Sequence, residues 1–325
     1  MDELRIDMEK LEEFERGLDP RYPERSRIPA RVLGYGEIST VFEIKAEGME
    51  GYAFKRLPIF KHRDEIEPYL ASYEEYNRIL EEEVGISLPA YGHAEFVSSS
   101  GRPVFYIIQE QLPSPSIGNQ AIHHLPDDEV PTLVRLILRE LKKIWDFNRE
   151  REGLEVAIDG QISNWSIVSF DPGSAHVDEN TRFLYMDTST PLFRVDGTEQ
   201  LDPELFLRSA PSFMVWIIRL LFLEDVMTRY YDFRQVTIDL IANFYKEQRA
   251  ELIPALIDVA NAFFADKAAY LGIEPIREKD VVSYYREDRL IWSLYLSMRK
   301  LDRFLHTRLL RHEYPYILPG KIKRK

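Results

Sequence analysis

Residues 34–55, GYGEISTVFEIKAEGMEGYAFK, decide the fold of this chain. Gly34 and Gly36 lie in a turn between the short apolar segments Arg31-Val32-Leu33 and Thr40-Val41-Phe42-Glu43-Ile44-Lys45. Glu47-Gly48-Met49-Glu50 then supplies a second turn before Gly51-Tyr52-Ala53-Phe54-Lys55. Runs of this kind, bounded by glycine-containing turns, predict three strands of a small antiparallel sheet. With no side chains at Gly34 and Gly36, the first turn lets backbone N–H groups approach phosphate oxygens closely. A two-glycine turn is also an ordinary hairpin device, so the chemistry depends on what stands around it.

Lys55 ends the otherwise apolar strand Tyr52-Ala53-Phe54, where a buried ammonium needs an anion to offset its desolvation; a phosphate or a carboxylate would serve. Between Glu65 and Val84, Ile66, Leu70, Tyr73, Asn77, Leu80 and Val84 recur at helical spacing and predict one apolar helix face. Glu74 comes one turn after Leu70, at the edge of that face, where its side chain is expected to reach Lys55. Glu75, about 100° further round, belongs in water. Taken singly, each of these charges also reads as a solvated surface residue. Two more strands are expected at Glu95-Phe96-Val97 and Pro103-Val104-Phe105-Tyr106-Ile107-Ile108, around the turn Ser99-Ser100-Gly101-Arg102.

A Pro-, Ser- and Gly-rich stretch from Pro113 to Asp128 marks a boundary, and helices dominate after it. Pro131 opens a helix with the stripe Leu133, Ile137, Leu141, Ile144 and Trp145, and four or five more helices are expected from Pro203 to about Arg311. The layout is therefore an N-terminal helical extension (1–29), a sheet lobe (30–112), a hinge (113–130) and a helical lobe (131–325). Asp159 follows Val156-Ala157-Ile158, and Asn164 stands five residues later, before the strand Trp165-Ser166-Ile167-Val168. An Asp there can orient a hydroxyl and accept its proton, and an Asn amide oxygen can bind magnesium, although a loop with Asx turns has the same spacing. Asp187 ends a second strand, Phe183-Leu184-Tyr185-Met186, paired with 165–170 through Asp171-Pro172-Gly173-Ser174. Such a hairpin brings Asn164 and Asp187 to the same end of neighbouring strands, as two ligands of one cation require.

A net charge of -13, from 55 acidic and 42 basic residues, argues against nucleic acid or an anionic membrane as a broad partner, while leaving room for a local basic pocket. The absence of cysteine excludes disulfides, thiolate zinc sites and a cysteine nucleophile. The seven histidines show no ligand spacing, and His123-His124 reads as an exposed pair. The acidic start has no apolar run, and the apolar stretch from Phe213 to Leu223 is interrupted by Arg219, so a core helix and a cytoplasmic protein are expected. The basic end, Lys321-Ile322-Lys323-Arg324-Lys325, reads as a solvated terminus.

Taken in order, these segments resemble the protein-kinase-like superfamily, and more closely its bacterial small-molecule branch of aminoglycoside and choline kinase-like proteins. The resemblance implies an α+β, bilobal fold with a small antiparallel-sheet N-lobe carrying one helix and a larger, mainly helical C-lobe. It implies that Gly34, Gly36, Ser39 and Val41 cover ATP, and that Lys55 contacts its phosphates while held by Glu74, nineteen residues on. Glu110 and Leu112, in Ile107-Ile108-Gln109-Glu110-Gln111-Leu112, look like the backbone groups that hold the adenine. Asp159 matches the catalytic Asp, and Asn164 and Asp187 match the residues that bind Mg2+. The segment after Asp187 lacks the Ala-Pro-Glu of protein kinases, which favours a small-molecule or atypical branch.

Four departures stand out. Ser39 replaces the third glycine of the loop, Ala157 the usual His, and Gln161 a position that carries positive charge in many relatives. Asp187 is followed by Thr188-Ser189 instead of Phe-Gly, at the end of a hairpin longer than usual. The expectation is an ATP- and magnesium-dependent phosphotransferase acting on a hydroxyl of a small molecule. Ala157 and Gln161 favour the alternative of a pseudokinase or nucleotide-sensing module working through a protein partner, and a third reading transfers AMP to a protein hydroxyl. The acidic run Asp196, Glu199, Asp202 and Glu204 could attract a cationic acceptor, or simply be solvated.

Overall fold

The computed structural model describes residues 4, 6–36, 38–202, 204–205, 228–309, 314 and 316–318. The stretch Phe213 to Leu223, the basic end 321–325 and Glu37 of the glycine turn lie outside the described residues.

The N-terminal half is built on five strands: β1 (Ala30–Tyr35), β2 (Thr40–Ile44), β3 (Tyr52–Arg56), β4 (Tyr91–Val97) and β5 (Pro103–Glu110). They form one sheet in the order β1-β2-β3-β5-β4, antiparallel at every pairing. The run Val104-Phe105-Tyr106-Ile107-Ile108 in β5 is buried without alternation, the pattern of a strand covered on both faces. Val104, Tyr106 and Ile108 pack into one cluster with Leu11 and Phe14 of helix α1 (Met8–Gly17). Phe105 and Ile107 point the other way, into a cluster with Ile66, Tyr69 and Tyr73 of helix α2 (Ile66–Arg78). The helix expected as an N-terminal extension is thus part of this lobe's core, with Phe14 meeting Phe42 edge to face at 5.6 Å. Ile317 joins the same cluster, so the chain returns to the sheet there.

Helix α2 continues into a wider π turn, Ile79–Val84, and closes at Gly85 with φ +79°, a left-handed conformation that a Cβ would strain. The second half starts with the short helix α3 (Gly118–Ala121) and with α4 (Val130–Glu150), whose proline lies in the first turn, where no N–H is needed. Strands β7 (Trp165–Ile167) and β8 (Phe183–Tyr185) pair antiparallel with Trp165 opposite Tyr185. Strands β6 (Leu154–Val156), β9 (Phe193–Val195) and β10 (Thr198–Glu199) make a small three-stranded sheet. Helices α5 (Phe233–Lys246), α6 (Ile253–Lys267) and α7 (Glu278–Phe304) follow. Leu133, Ile137, Leu141 and Ile144 of α4 share the largest core cluster with Val236, Leu256 and Phe263, and Trp145 stacks on Phe233 at 4.3 Å. The element order and sheet topology are those of a protein-kinase-like bilobal α+β fold. No helix among the described residues is long and apolar enough to cross a membrane.

Candidate active site

Antiparallel pairing sets Lys55 of β3 opposite Val41 of β2, and Val41 opposite Gly34 of β1. The Lys55 ammonium reaches across to the other lobe, donating to Asp187 Oδ1 at 2.6 Å and to Ser189 Oγ at 2.7 Å. Ser189 Oγ in turn donates to the same Asp187 oxygen at 2.9 Å. Burial pushes the Asp187 carboxyl up, but the Lys55 charge and the hydrogen bonds from Lys55 and Ser189 outweigh it and hold the group below the usual carboxylate range. Lys55 therefore has its anion, and that anion is a carboxylate of the C-lobe.

The expected contact between Lys55 and Glu74 is not made. Glu74 is 58% exposed, with His93 Nδ1 4.0 Å from its carboxylate. The buried face of α2 runs through Ile66, Tyr69, Tyr73, Tyr76 and Asn77, and Glu74 is turned from Tyr73 by one residue's rotation, about 100°. Tyrosines take up the link between α2 and the cleft. Tyr69 Oη donates to Ser189 O at 2.7 Å and Tyr76 Oη donates to Ala157 O at 2.8 Å. The helix thus grips both the segment after Asp187 and the segment before Asp159. Gln109 of β5 adds a third strut, donating from Nε2 to Met186 O at 3.0 Å.

Asp159 stands in a tight loop in which its Oδ1 accepts from Gln161 N at 3.1 Å and its carbonyl accepts from Asn164 Nδ2 at 3.3 Å. These Asx-type bonds leave the Asn164 amide oxygen as that side chain's only acceptor. The Asn164 carbonyl accepts from Met186 N at 2.8 Å, so Asn164 and Asp187 do meet at one end of the β7–β8 hairpin. Two glycines allow the loop to be held this closely. A Cβ on Gly160 would stand 2.5 Å from Val236 Cγ1 of α5, and one on Gly118 of α3 would stand 2.3 Å from Ile162 O.

The contact at Gly160 brings α5 against the loop, and with it a group of charges around the buried Asp239 that the sequence did not announce. Asp239 accepts from Asn243 Nδ2 at 3.1 Å and from Gln161, and Lys246 pairs with Asp288 of α7 at 3.0 Å. Burial, then the negative charges of Asp239 and Asp187, push the Asp159 carboxyl well above its usual range, with Lys246 opposing them. Burial works against the Lys246 ammonium, but Asp239, Asp288 and Asp159 together raise its affinity for its proton. Periodicity offered one signal for this group: Asp239 and Asn243 recur at helical spacing among the mostly apolar buried residues of α5, with Lys246 about one turn further on.

Gly36 N donates to Ser39 O at 3.0 Å across the glycine turn, with Ser39 and Thr40 buried beneath it. Glu110 N donates to Ala90 O and Gln111 N to Gly51 O, both at 2.8 Å, whereas Leu112 N makes no backbone bond among the described residues. Among the described residues no three His, Asp or Glu side chains gather around one point to hold a metal by themselves. Asp187 and Asn164 are nevertheless oxygen donors of the kind Mg2+ takes, and this ion commonly uses one or two side chains with substrate phosphates and water. The negative charge of Asp187 is felt at Asp159, and two such carboxylates suit a cation, so the donor types fit the ion.

Several solved structures are similar to the chain. A structure of WaaP in complex with acyl carrier protein is 15% identical at a TM-score of 0.31, over 75% of this chain and 89% of that one. The GDP complex of aminoglycoside 2'-phosphotransferase-IIIa is 12% identical at a TM-score of 0.35, over 81% and 95%. WbdD is 15% identical at a TM-score of 0.30, over 70% of this chain and 47% of that one. At these scores the fold rests on the topology described above. No curated protein matches the chain. Residues 24–303 match the model of a family described as "Family of unknown function (DUF6206)", and the chain belongs to that family.

Proposed function

We propose that the chain is an ATP- and magnesium-dependent phosphotransferase acting on a hydroxyl of a small molecule. The observation that carries this reading is the bond from Lys55 to Asp187 across the cleft, beside Asn164 and within electrostatic reach of Asp159. Phosphoryl transfer is mainly positioning and charge stabilisation, and it needs a phosphate-binding ammonium, a metal-binding carboxylate and amide, and an acceptor-orienting carboxylate together. In this reading the turn at Gly34, Gly36 and Ser39 covers the phosphates, Val41 and the backbone of Glu110 and Leu112 border the base, and Lys55 moves from Asp187 to the nucleotide. Asp187 and Asn164 would hold Mg2+, which supplies charge neutralisation on the phosphates when bound. Asp159 orients the acceptor hydroxyl and takes its proton, a role suited to a carboxyl with a raised proton affinity. Lys246 supplies from α5 a positive charge near Asp159 that position 161 lacks.

The exposed Glu74 favours a second reading, a nucleotide-sensing module without turnover, because Lys55 has no α2 carboxylate to hold it once Asp187 takes a metal. The test is thermal unfolding with ATP, with and without Mg2+, on the native chain, Lys55→Met and Asp187→Asn. Ligand at about 100 times its dissociation constant adds roughly 2.7 kcal/mol. A shift enhanced by Mg2+ and lost in Asp187→Asn supports the site, and no shift with any nucleotide overturns it. Mass analysis of acceptors then separates transfer of phosphate from transfer of AMP, and binding without either product leaves the sensing module.

A further inference from the structure

A cavity of about 900 Å³ lies between the N-terminal segment, β1 and the end of α7, lined by none of the residues of the proposed nucleotide site. Six cations line it from three parts of the chain: Arg21, Arg31, Lys45, Lys300, Arg303 and Arg308. Among the described residues that line it, Glu24 is the one carboxylate. Arg31 and Lys45 share the nearby Glu43, the former at 2.6 Å. Arg21, Lys300, Arg303 and Arg308 have no carboxylate within ion-pair distance among the described residues. Four cations without a described carboxylate partner, beside two that share one, give the cavity a local positive potential that draws in anions despite the net charge of -13.

Lys300, Arg303 and Thr307 recur at helical spacing, so one face of the end of α7 is aimed at β1. Cations at a helix C-terminus are common for dipole reasons, but Arg21 comes from the N-terminal segment, where that reason does not apply. Tyr22, Tyr35 and Phe304, exposed by 48%, 42% and 56%, give the cavity an aromatic rim. Arginines and lysines converging from separate parts of the chain suit phosphate groups, since each oxygen can take a separate donor.

We infer that this cavity binds a small anion carrying two or more phosphate groups, at a site separate from the nucleotide cleft. The occupant would lie beside Tyr35, the residue that precedes Gly36 of the glycine turn.

The test is calorimetric titration of the full chain with inorganic tripolyphosphate, at an ionic strength of about 0.15 M and with sulfate as the control. The expected result is saturable binding that weakens at least tenfold in Lys300→Glu/Arg303→Glu and in Arg21→Glu, and that Lys55→Met leaves unchanged. Arg21 and the α7 pair come from separate parts of the chain, so both losses in variants that retain cooperative unfolding assign the site. Equal binding by the charge-reversed variants, loss in Lys55→Met alone, or equal affinity for sulfate would each overturn the inference. Sedimentation with phosphatidate-containing vesicles separates the two sources of phosphate. Capture that the α7 variant abolishes assigns a lipid headgroup, whereas tripolyphosphate binding without capture assigns a soluble ligand.

Discussion

The surroundings of Asp159 disfavour its charged form, and the cost can be measured. Burial and the charges of Asp239 and Asp187 make it hold its proton more tightly folded than unfolded. Folding stability from this group is therefore fully present below its unfolded pKa and lost as pH rises toward its folded value. Asp159→Asn removes that loss. The variant should unfold at a higher temperature than the native chain at pH 7, and the difference should vanish below about pH 4, the usual range for Asp. A native chain that is the more stable of the two at pH 7 would rule out this picture. The same substitution should abolish phosphoryl transfer, because an amide cannot take a proton from the acceptor. Tyr76 is a simpler case: Tyr76→Phe leaves the Ala157 carbonyl without its donor in a buried setting. Urea unfolding should register a loss of roughly 1–3 kcal/mol.

At the scale of elements, the loop carrying Asp159 is fixed by close approach, and its two glycines set the tolerance. Gly160→Ala and Gly118→Ala each place a methyl group well inside van der Waals contact, against Val236 of α5 and the Ile162 carbonyl. Overpacking of this kind costs about 1–3 kcal/mol. Gly118→Ala should cost more, because its obstacle is backbone and cannot rotate away; chemical denaturation of the two variants gives the ranking. The strand that carries Lys55 and the hairpin that Asn164 and Asp187 flank were legible in the sequence, since alternation and turn residues fix which residues end neighbouring strands. The partner of Lys55 was not. The α2 stripe was placed through Leu70 and Tyr73, whereas the buried face is shifted toward Tyr69 and Tyr76, and that small rotation turns Glu74 to water. Periodicity gives a helix face to within a residue or so, while an ion pair needs the exact one. The Asp239, Lys246 and Asp288 group was hidden for a different reason: it joins two helices forty-odd residues apart, and no local pattern reports such a contact.

At the scale of the whole molecule, the N-terminal helix is bolted to the sheet by a buried ion pair, which makes the sheet lobe depend on residues outside the kinase-like core. Glu15 of α1 accepts from Arg56 of β3 at 2.6 Å and from Tyr106 Oη of β5 at 2.5 Å, with only 9% and 15% of the Glu15 and Arg56 side chains exposed. Burial pushes the Glu15 carboxyl up, but attraction to Arg56 and hydrogen bonds from Arg56 and Tyr106 outweigh it and leave its pKa lowered. A lowered carboxyl contributes stability that is present above its unfolded pKa and lost as pH falls through its folded value. Removing one partner of a buried pair leaves the other uncompensated, at about 3–5 kcal/mol, whereas replacing both with apolar groups of similar volume is often neutral. Glu15→Ala should therefore destabilise the chain by about that amount at pH 7, and Glu15→Ala/Arg56→Met should recover most of it. Urea unfolding at pH 7 and at about pH 3 makes the comparison, with the Glu15→Ala penalty shrinking at the lower pH as the native carboxyl takes up its proton. If the double variant were as unstable as Glu15→Ala, the helix would be held by Leu11 and Phe14 packing on the sheet, and the charge pair would be incidental to it.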